Sequence, residues 1–265
     1  MFSFFRKREE PTAEEAAKAA AHRKVLEAFE KGEGSLLDAA LVAHLQSPDN
    51  ASFARFVIAF GGPEIFTLSK GGEEIGDSAM TIGPDDIPYI AVFSTRERAA
   101  AALEEGWGPF QKVIPISPLT LVFSANGAGI ILNMNDEHLS WSFTPEQTTF
   151  LKNLYERNHL LAEGDLYRIR SKGVYRVLKV LKTDDGGVHI RHYGNAWQQP
   201  PQEIDPAQLT LEPADESSRS IGHMPLKRGT FLAMGPIKVG HAPVMEEELD
   251  GYSHWLEAKG GYFGS

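Results

Sequence analysis

"LYRIRSKGVYRVLKVLKTDDGGVHIRHYGN", residues 166–195, decides the class of fold. Apolar and polar side chains alternate in three short runs, which is the period of a strand with one buried face. "SKG" and "DDGG" separate the runs, and both are turn chemistry. Glycine reaches positive φ at no steric cost, and Asp bonds the backbone ahead of it. Three antiparallel strands are therefore expected, with Leu166, Ile169, Val174, Val177, Val180, Val188 and Ile190 facing inward. Arg168, Arg170, Lys172, Arg176, Lys179, Lys182 and Arg191 are set by the same alternation on the outer face. A meander of short twisted strands predicts a small SH3-like or Tudor-like barrel.

Upstream the period changes. "PTAEEAAKAAAHRKVLEAFEKGEG" reads as a helical arm within residues 1–34, with Thr12 and Glu15 at capping-box spacing. "SLLDAALVAHLQSPDN" is a second helix, capped by Ser35, with Leu37, Leu41 and Leu45 on one face. In "ASFARFVIAF" the side chains Phe53, Phe56, Val57 and Phe60 fall at i, i+3, i+4 and i+7, with Asn50 as cap and Gly61-Gly62 as stop. "EIFTL" (64–68) and "IPYIAVF" (87–93) are strands. "STRERAAAALEEG" is a helix with a Ser94/Glu97 capping box. "TLVFS" (120–124) and "AGIILNM" (128–134) read as a hairpin around "ANG". "FTPEQTTFLKNLYERNH" is a helix capped by Thr144 with Pro145 at its first position; Phe150, Leu151, Leu154 and Tyr155 are its expected buried face. Helices and strands so mixed give an α+β domain over 35–159.

Downstream, "QQPPQEIDPAQLTL" is a proline-rich connection ending in another short strand, and "PADESSRS" is a polar loop. The chain closes with "PVMEEELDGYSHWLEAKGGYF". Met245, Leu249, Tyr252 and Leu256 follow i, i+4, i+7 and i+11, a narrow stripe with Trp255 on its flank. This C-terminal helix, with Tyr262 and Phe263, is expected to pin the terminus, Tyr252 buried and Trp255 partly exposed.

The charge is uneven. Residues 160–265 hold 12 Lys and Arg against 14 Asp and Glu, and residues 1–159 hold 14 against 22. With "LLAEGD" at 160–165, this predicts an arm (1–34), an α+β domain (35–159) and a β-rich domain (160–265). Hydrophobic residues make up 42 %, enough for ordinary cores. The absence of cysteine excludes disulfides and thiolate chemistry and fits a reducing, cytoplasmic compartment. "MFSFFRKREEP" has an apolar patch of about four residues, shorter than a secretory signal core, and gives only weak membrane attachment. No membrane partner is expected.

The usual chemical signatures do not occur. There is no GxxxxGK[ST] loop, no GxGxxG opening a helix and no GxSxG elbow. His189 and His192 lie three apart on a strand and point to opposite faces, so no metal site is expected. The carboxylate runs at Asp85-Asp86 and Glu246 to Glu248 sit where solvation is easy, which does not suit general acid–base work. The basic strands with Tyr167, Tyr175 and Tyr193 offer a stacking surface for single-stranded nucleic acid. A formal charge of −10 opposes that partner.

The segments "LLDAALVAH", "PDNASFARFVIAFGGPEIFTL", "IPYIAVFSTRERAAAAL", "GAGIILNMN" and "LSWSFTPEQ" resemble the SseB family, named for enhanced serine sensitivity. The likeness runs from Leu36 to about Phe150, with Met134 where the family's turn has proline. It implies an α+β domain with no established catalytic residues. From Gly164 onward, "GDLYRIRSKGVYRVLKVLK", "GVHIRHYGN", "IGHMPL" and "EEELDGYSHWLEAKGGYF" resemble a bacterial domain of unknown function found among toxin-immunity modules. Together these imply a non-enzymatic protein-binding protein, an immunity or adaptor protein without cofactor. Its partner would be a protein such as a basic toxin or secreted effector. Tyr193, Trp197, Tyr252 and Trp255 are the aromatic candidates for the partner surface, where Tyr and Trp are favoured. The alternative is an enzyme or small-ligand-binding protein whose site assembles from residues that form no local motif.

Overall fold

The computed structural model describes residues 12–62, 64–72, 78–83, 86–213 and 220–264. The expectations for residues 1–8 and for most of "PADESSRS" lie outside the described residues. No described helix is long and apolar enough to cross a membrane. The chain is an α+β protein with a C-terminal helix.

Three helices lead: α1 (Ala13–Glu30), α2 (Leu36–Gln46) and α3 (Asn50–Phe60). The Thr12/Glu15 capping box closes on α1, and Ser35 caps α2. Asp49, not Asn50, caps α3: its carboxylate accepts from the Ser52 N–H, and Ser52 Oγ accepts from the Asp49 N–H. Phe56 and Phe60 are fully buried on the expected face.

Two sheets follow. β1 (Ile65–Ser69) pairs antiparallel with β4 (Lys112–Ile116). β2 (Met80–Ile82), β3 (Pro88–Val92), β5 (Gly129–Leu132) and β6 (Trp141–Phe143) form a sheet in the order β2-β3-β5-β6, parallel only between β3 and β5. α4 (Arg96–Glu104) is capped by Thr95 rather than Ser94. Ser94 is drawn away because its N–H and hydroxyl both bond Asn133 Oδ1. Residues 118–124 form helix α5 (Pro118–Ser124), not the first strand of a hairpin. Leu119, Leu121, Val122 and Phe123 are all buried, and an element buried all round shows neither period. α6 (Pro145–Asn158) is capped as expected. Its buried side is centred on Thr148 and Leu151, which leaves Phe150 exposed, contrary to expectation.

The second half is one antiparallel sheet of β7 (Asp165–Ser171), β8 (Val174–Thr183), β9 (Val188–His192), β10 (Ile221–Leu226) and β11 (Ile237–His241), in the order β10-β9-β8-β7-β11. α7 (Arg228–Ala233) joins β10 to β11. "QLTL" is no strand; the chain makes a 3-10 turn at Pro206–Gln208, capped by Asp205. The C-terminal helix starts as a 3-10 turn, Glu246–Leu249, and continues as α8 (Asp250–Glu257). The change from three to 3.6 residues per turn rotates the stripe, so Met245 and Leu256 are exposed.

Both faces of this sheet are covered. Tyr167, Ile169, Leu178, Val180 and Ile190 join the main core with Phe60, Leu121, Leu151 and Phe231. Leu166, Val177, Tyr193 and Val239 form a smaller core with Trp197 and Ile204. That explains a correction: Arg168, Arg176 and Lys179 are buried, not on an outer face.

Candidate functional site

His189, on β9, has no exposed surface. Its Nε2 lies 3.1 Å from Asp184 Oδ2 and 3.3 Å from the Tyr262 hydroxyl, and its Nδ1 lies 2.9 Å from Nε2 of His223 on β10. The Tyr262 hydroxyl sits 2.5 Å from both Asp184 oxygens. Asp184 opens the β8–β9 turn and also accepts from the N–H groups of Gly186 and Gly187. An ionised carboxylate only accepts, so its two neighbours must donate to it. Tyr262 O–H and His189 Nε2–H donate to Asp184. His189 Nδ1 and His223 Nε2 share one proton between them.

Aromatic rings close around this chain. Tyr252, Trp255 and Tyr262 stand edge-on to His189 with centroids at 4.7, 4.5 and 5.4 Å, and His223 stacks on it at 5.2 Å. Tyr252 and Trp255 come from α8, Tyr262 from the tail behind it. Backbone bonds hold that tail: Phe263 N–H to Pro225 O at 2.9 Å, and Lys227 N–H to Phe263 O at 3.0 Å. Trp255 Nε1 donates to Gly261 O at 3.0 Å. Glycine is required where the tail crosses the β8–β9 turn. A Cβ on Gly187 would lie 2.1 Å from Leu226 O, and one on Gly186 2.4 Å from the Tyr262 ring.

Burial, then the neighbouring His189, pushes His223 down to about 4. Burial opposes ionisation of Asp184, but the hydrogen bonds from Tyr262 and His189 outweigh it and hold the carboxyl below its ordinary value. Burial, then Asp184, raises the Tyr262 hydroxyl. The centre thus sets a His223 ring held neutral by burial beside an ionised Asp184 carboxylate.

A second polar centre lies beneath the 3-10 turn. Lys179 Nζ is 2.6 Å from Glu248 Oε2 and 2.8 Å from Pro243 O, and Arg191 Nη1 is 3.1 Å from Glu248 Oε1. Lys179 and Glu248 are both buried. Burial opposes ionisation of Glu248; Lys179 leads the groups that overcome it. Burial and the nearby Glu248 push the Tyr193 hydroxyl up to about 12.

The four aromatic candidates therefore fall in two places. Tyr252 and Trp255 stack at 6.0 Å and are both half-buried, so the expected contrast between them is absent. Tyr193 is buried in the smaller core, against which Trp197 packs. His189 and His192 do diverge, but His189 meets His223, a partner with no local signature. The nearest signal in the sequence was Asp184, five residues before His189 across the turn. Both His189 nitrogens are engaged, and among the described residues no three His, Cys, Asp or Glu side chains are grouped to hold a metal ion. The arrangement fastens the tail to the sheet through a directed set of hydrogen bonds.

No family profile, curated protein or solved structure matches the chain.

Proposed function

We propose that this is a non-catalytic protein-binding protein of the immunity or adaptor kind, with its C-terminal segment as the binding surface. One observation carries the reading. Met245, Leu256 and Phe263 are more than half exposed, among the exposed acids Glu246, Glu247, Asp250 and Glu257, on a segment fastened by the His189 centre. Apolar side chains held rigidly lose little entropy on docking. Surrounding acids, with the net charge of −10, speed encounter with a basic protein such as a toxin or secreted effector. In this reading Tyr252 and Trp255 support the surface, and Tyr193 and Trp197 stand behind it. The SseB-like identity of residues 36–150, the three-part division of the chain and a cytoplasmic location belong to the same proposal; the absence of cysteine supports the last.

The test is capture from the native host with the wild-type chain and with Leu256→Ser and Phe263→Ser, followed by mass spectrometry and titration of the purified partner. One basic protein bound by the wild type, and bound at least about tenfold more weakly by both variants at unchanged melting temperature, is the expected result. Equal binding by all three chains would remove the C-terminal surface from the reading. The second reading, a small-ligand-binding protein or enzyme, is favoured by a groove between β4 and β7.

A further inference from the structure

Where β4 and α5 face the β7–β8 hairpin, a cavity of about 280 Å³ opens to solvent. Among the described residues its lining carries Arg168, Arg170 and Lys172 and the carboxylate of Glu64, with the hydroxyls of Tyr175 and Ser117. Arg168 and Arg170 are two apart on β7 and so share a face. Arg168 is only 6 % exposed. Its Nη1 donates to Pro201 O at 2.8 Å, while its Nε has no hydrogen-bond partner among the described residues. No described carboxylate forms an ion pair with it. Glu64 instead accepts from the Tyr175 hydroxyl at 3.3 Å.

A buried guanidinium without a counter-charge is costly, and a guest of opposite charge would relieve that cost. Arg170 donates Nη1 to Pro115 O at 3.3 Å, which fixes its guanidinium at the wall. Ser117 precedes α5 without using its hydroxyl as a cap. Gly235, also in the lining, has φ +65°, and a Cβ there would lie 2.5 Å from Ser117 Cβ, so its backbone packs closely on the Ser117 side chain. We infer that this groove is a binding site for a small dianionic metabolite, a dicarboxylate or a phosphate monoester, clamped by the Arg168 and Arg170 guanidiniums with Lys172 at the rim. Guanidinium forks match carboxylate and phosphate oxygens in geometry as well as charge. The volume lies just below the range usual for drug-sized ligands, about 300–1,000 Å³, which limits the guest to a small molecule.

The full chain is titrated with succinate, inorganic phosphate and phosphoserine at constant ionic strength, with chloride and acetate as monovalent controls, by calorimetry and thermal shift. Saturable binding of at least one dianion, raising the melting temperature by about 2 °C or more over chloride, is expected. The succinate and phosphate arms separate the two chemistries. Arg170→Gln should weaken binding about tenfold or more, and Lys172→Ala, at the exposed rim, less. Arg168→Met should abolish it while leaving the unliganded melting temperature unchanged or higher, because it removes an uncompensated buried charge. If Arg168→Met does not fold, Arg170→Gln decides. No dianion effect beyond chloride, or an effect undiminished in Arg170→Gln, overturns the inference. Neither result touches the C-terminal surface, whose test uses different residues.

Discussion

His189 ties separate segments of the second half together, because it bonds three groups: Asp184, His223 and Tyr262. His189→Leu leaves the Asp184 carboxylate and the His223 ring short of partners, and should cost about 2–4 kcal/mol in urea unfolding. Tyr262→Phe removes one hydroxyl from a half-exposed position and should cost about 1 kcal/mol. The depressed value of His223 gives a pH dependence of definite sign. Its folded value is about 4. Its unfolded value is near the ordinary ~6.5. Above about 6.5 the ring is neutral in both states and the full contribution is present. Between that pH and about 4 the unfolded chain takes up a proton that the folded chain refuses, so stability falls as pH falls. Partial solvent access holds the loss to about 1–2 kcal/mol. Urea midpoints at several pH values across that window should decline for the wild type and flatten for His223→Gln. At this scale the sequence was half legible: Tyr252 and Trp255 stood out as ring positions. His223, 34 residues from His189, had no spacing to betray it.

Among the elements, the capped helices could be read, whereas α5, buried on every side, could not. The Thr12/Glu15 spacing marked α1, and the Thr144 cap before Pro145 marked α6, because caps that satisfy the first turn's N–H groups leave a local signature in the sequence. β10, α7 and β11 left none: β10 contains a proline, α7 is six residues long, and β11 carries a register shift. The basic alternation of β7 to β9 misled for another reason. The sheet is covered on both faces, so Lys179 and Arg191 reach beneath the Glu246–Leu249 turn to a buried carboxylate instead of water. This pairing joins an element read correctly, β8, to one whose start was misjudged. Lys179→Met alone leaves Glu248 with Arg191 as its remaining charged partner and should cost about 3–5 kcal/mol. Lys179→Met combined with Glu248→Leu should cost clearly less than the sum of the two single changes, because neither charge is then stranded. Chemical denaturation of the four chains reads the coupling directly; additive losses would mean that the pair is solvated in practice.

At the scale of the molecule, two kinds of connection cross residue 160 differently. Among the described residues no strand pairing joins the sheets on either side of it. The apolar core nevertheless runs through: Leu121, Leu151 and Phe123 pack in one cluster with Tyr167, Phe231 and Leu232. Arg228 donates to the carbonyls of Glu156 and His159 at the end of α6, so a residue of the second half satisfies the last turn of a helix in the first. Tyr167 and Phe231 meet edge to face at 5.5 Å within this shared core. Separate unfolding would expose the cluster on both sides at once, and returning that apolar area to water costs about 25 cal/mol per Å². The two halves should therefore unfold together. Calorimetry of the full chain should give one transition whose calorimetric and van't Hoff enthalpies agree. Phe231→Ala, a large truncation at a side chain with no exposed surface, should lower that transition by about 3–5 kcal/mol in stability. The decisive readout is where the loss is felt. Trp141 lies in the sheet of the first half and Trp255 on α8 of the second. Two chains, each retaining only one of these tryptophans with the others replaced by Phe, should report the same midpoint before the Phe231 change and the same lowered midpoint after it. A Trp141 midpoint that stays in place while the Trp255 midpoint falls would show that the core, though continuous in space, is not cooperative across residue 160.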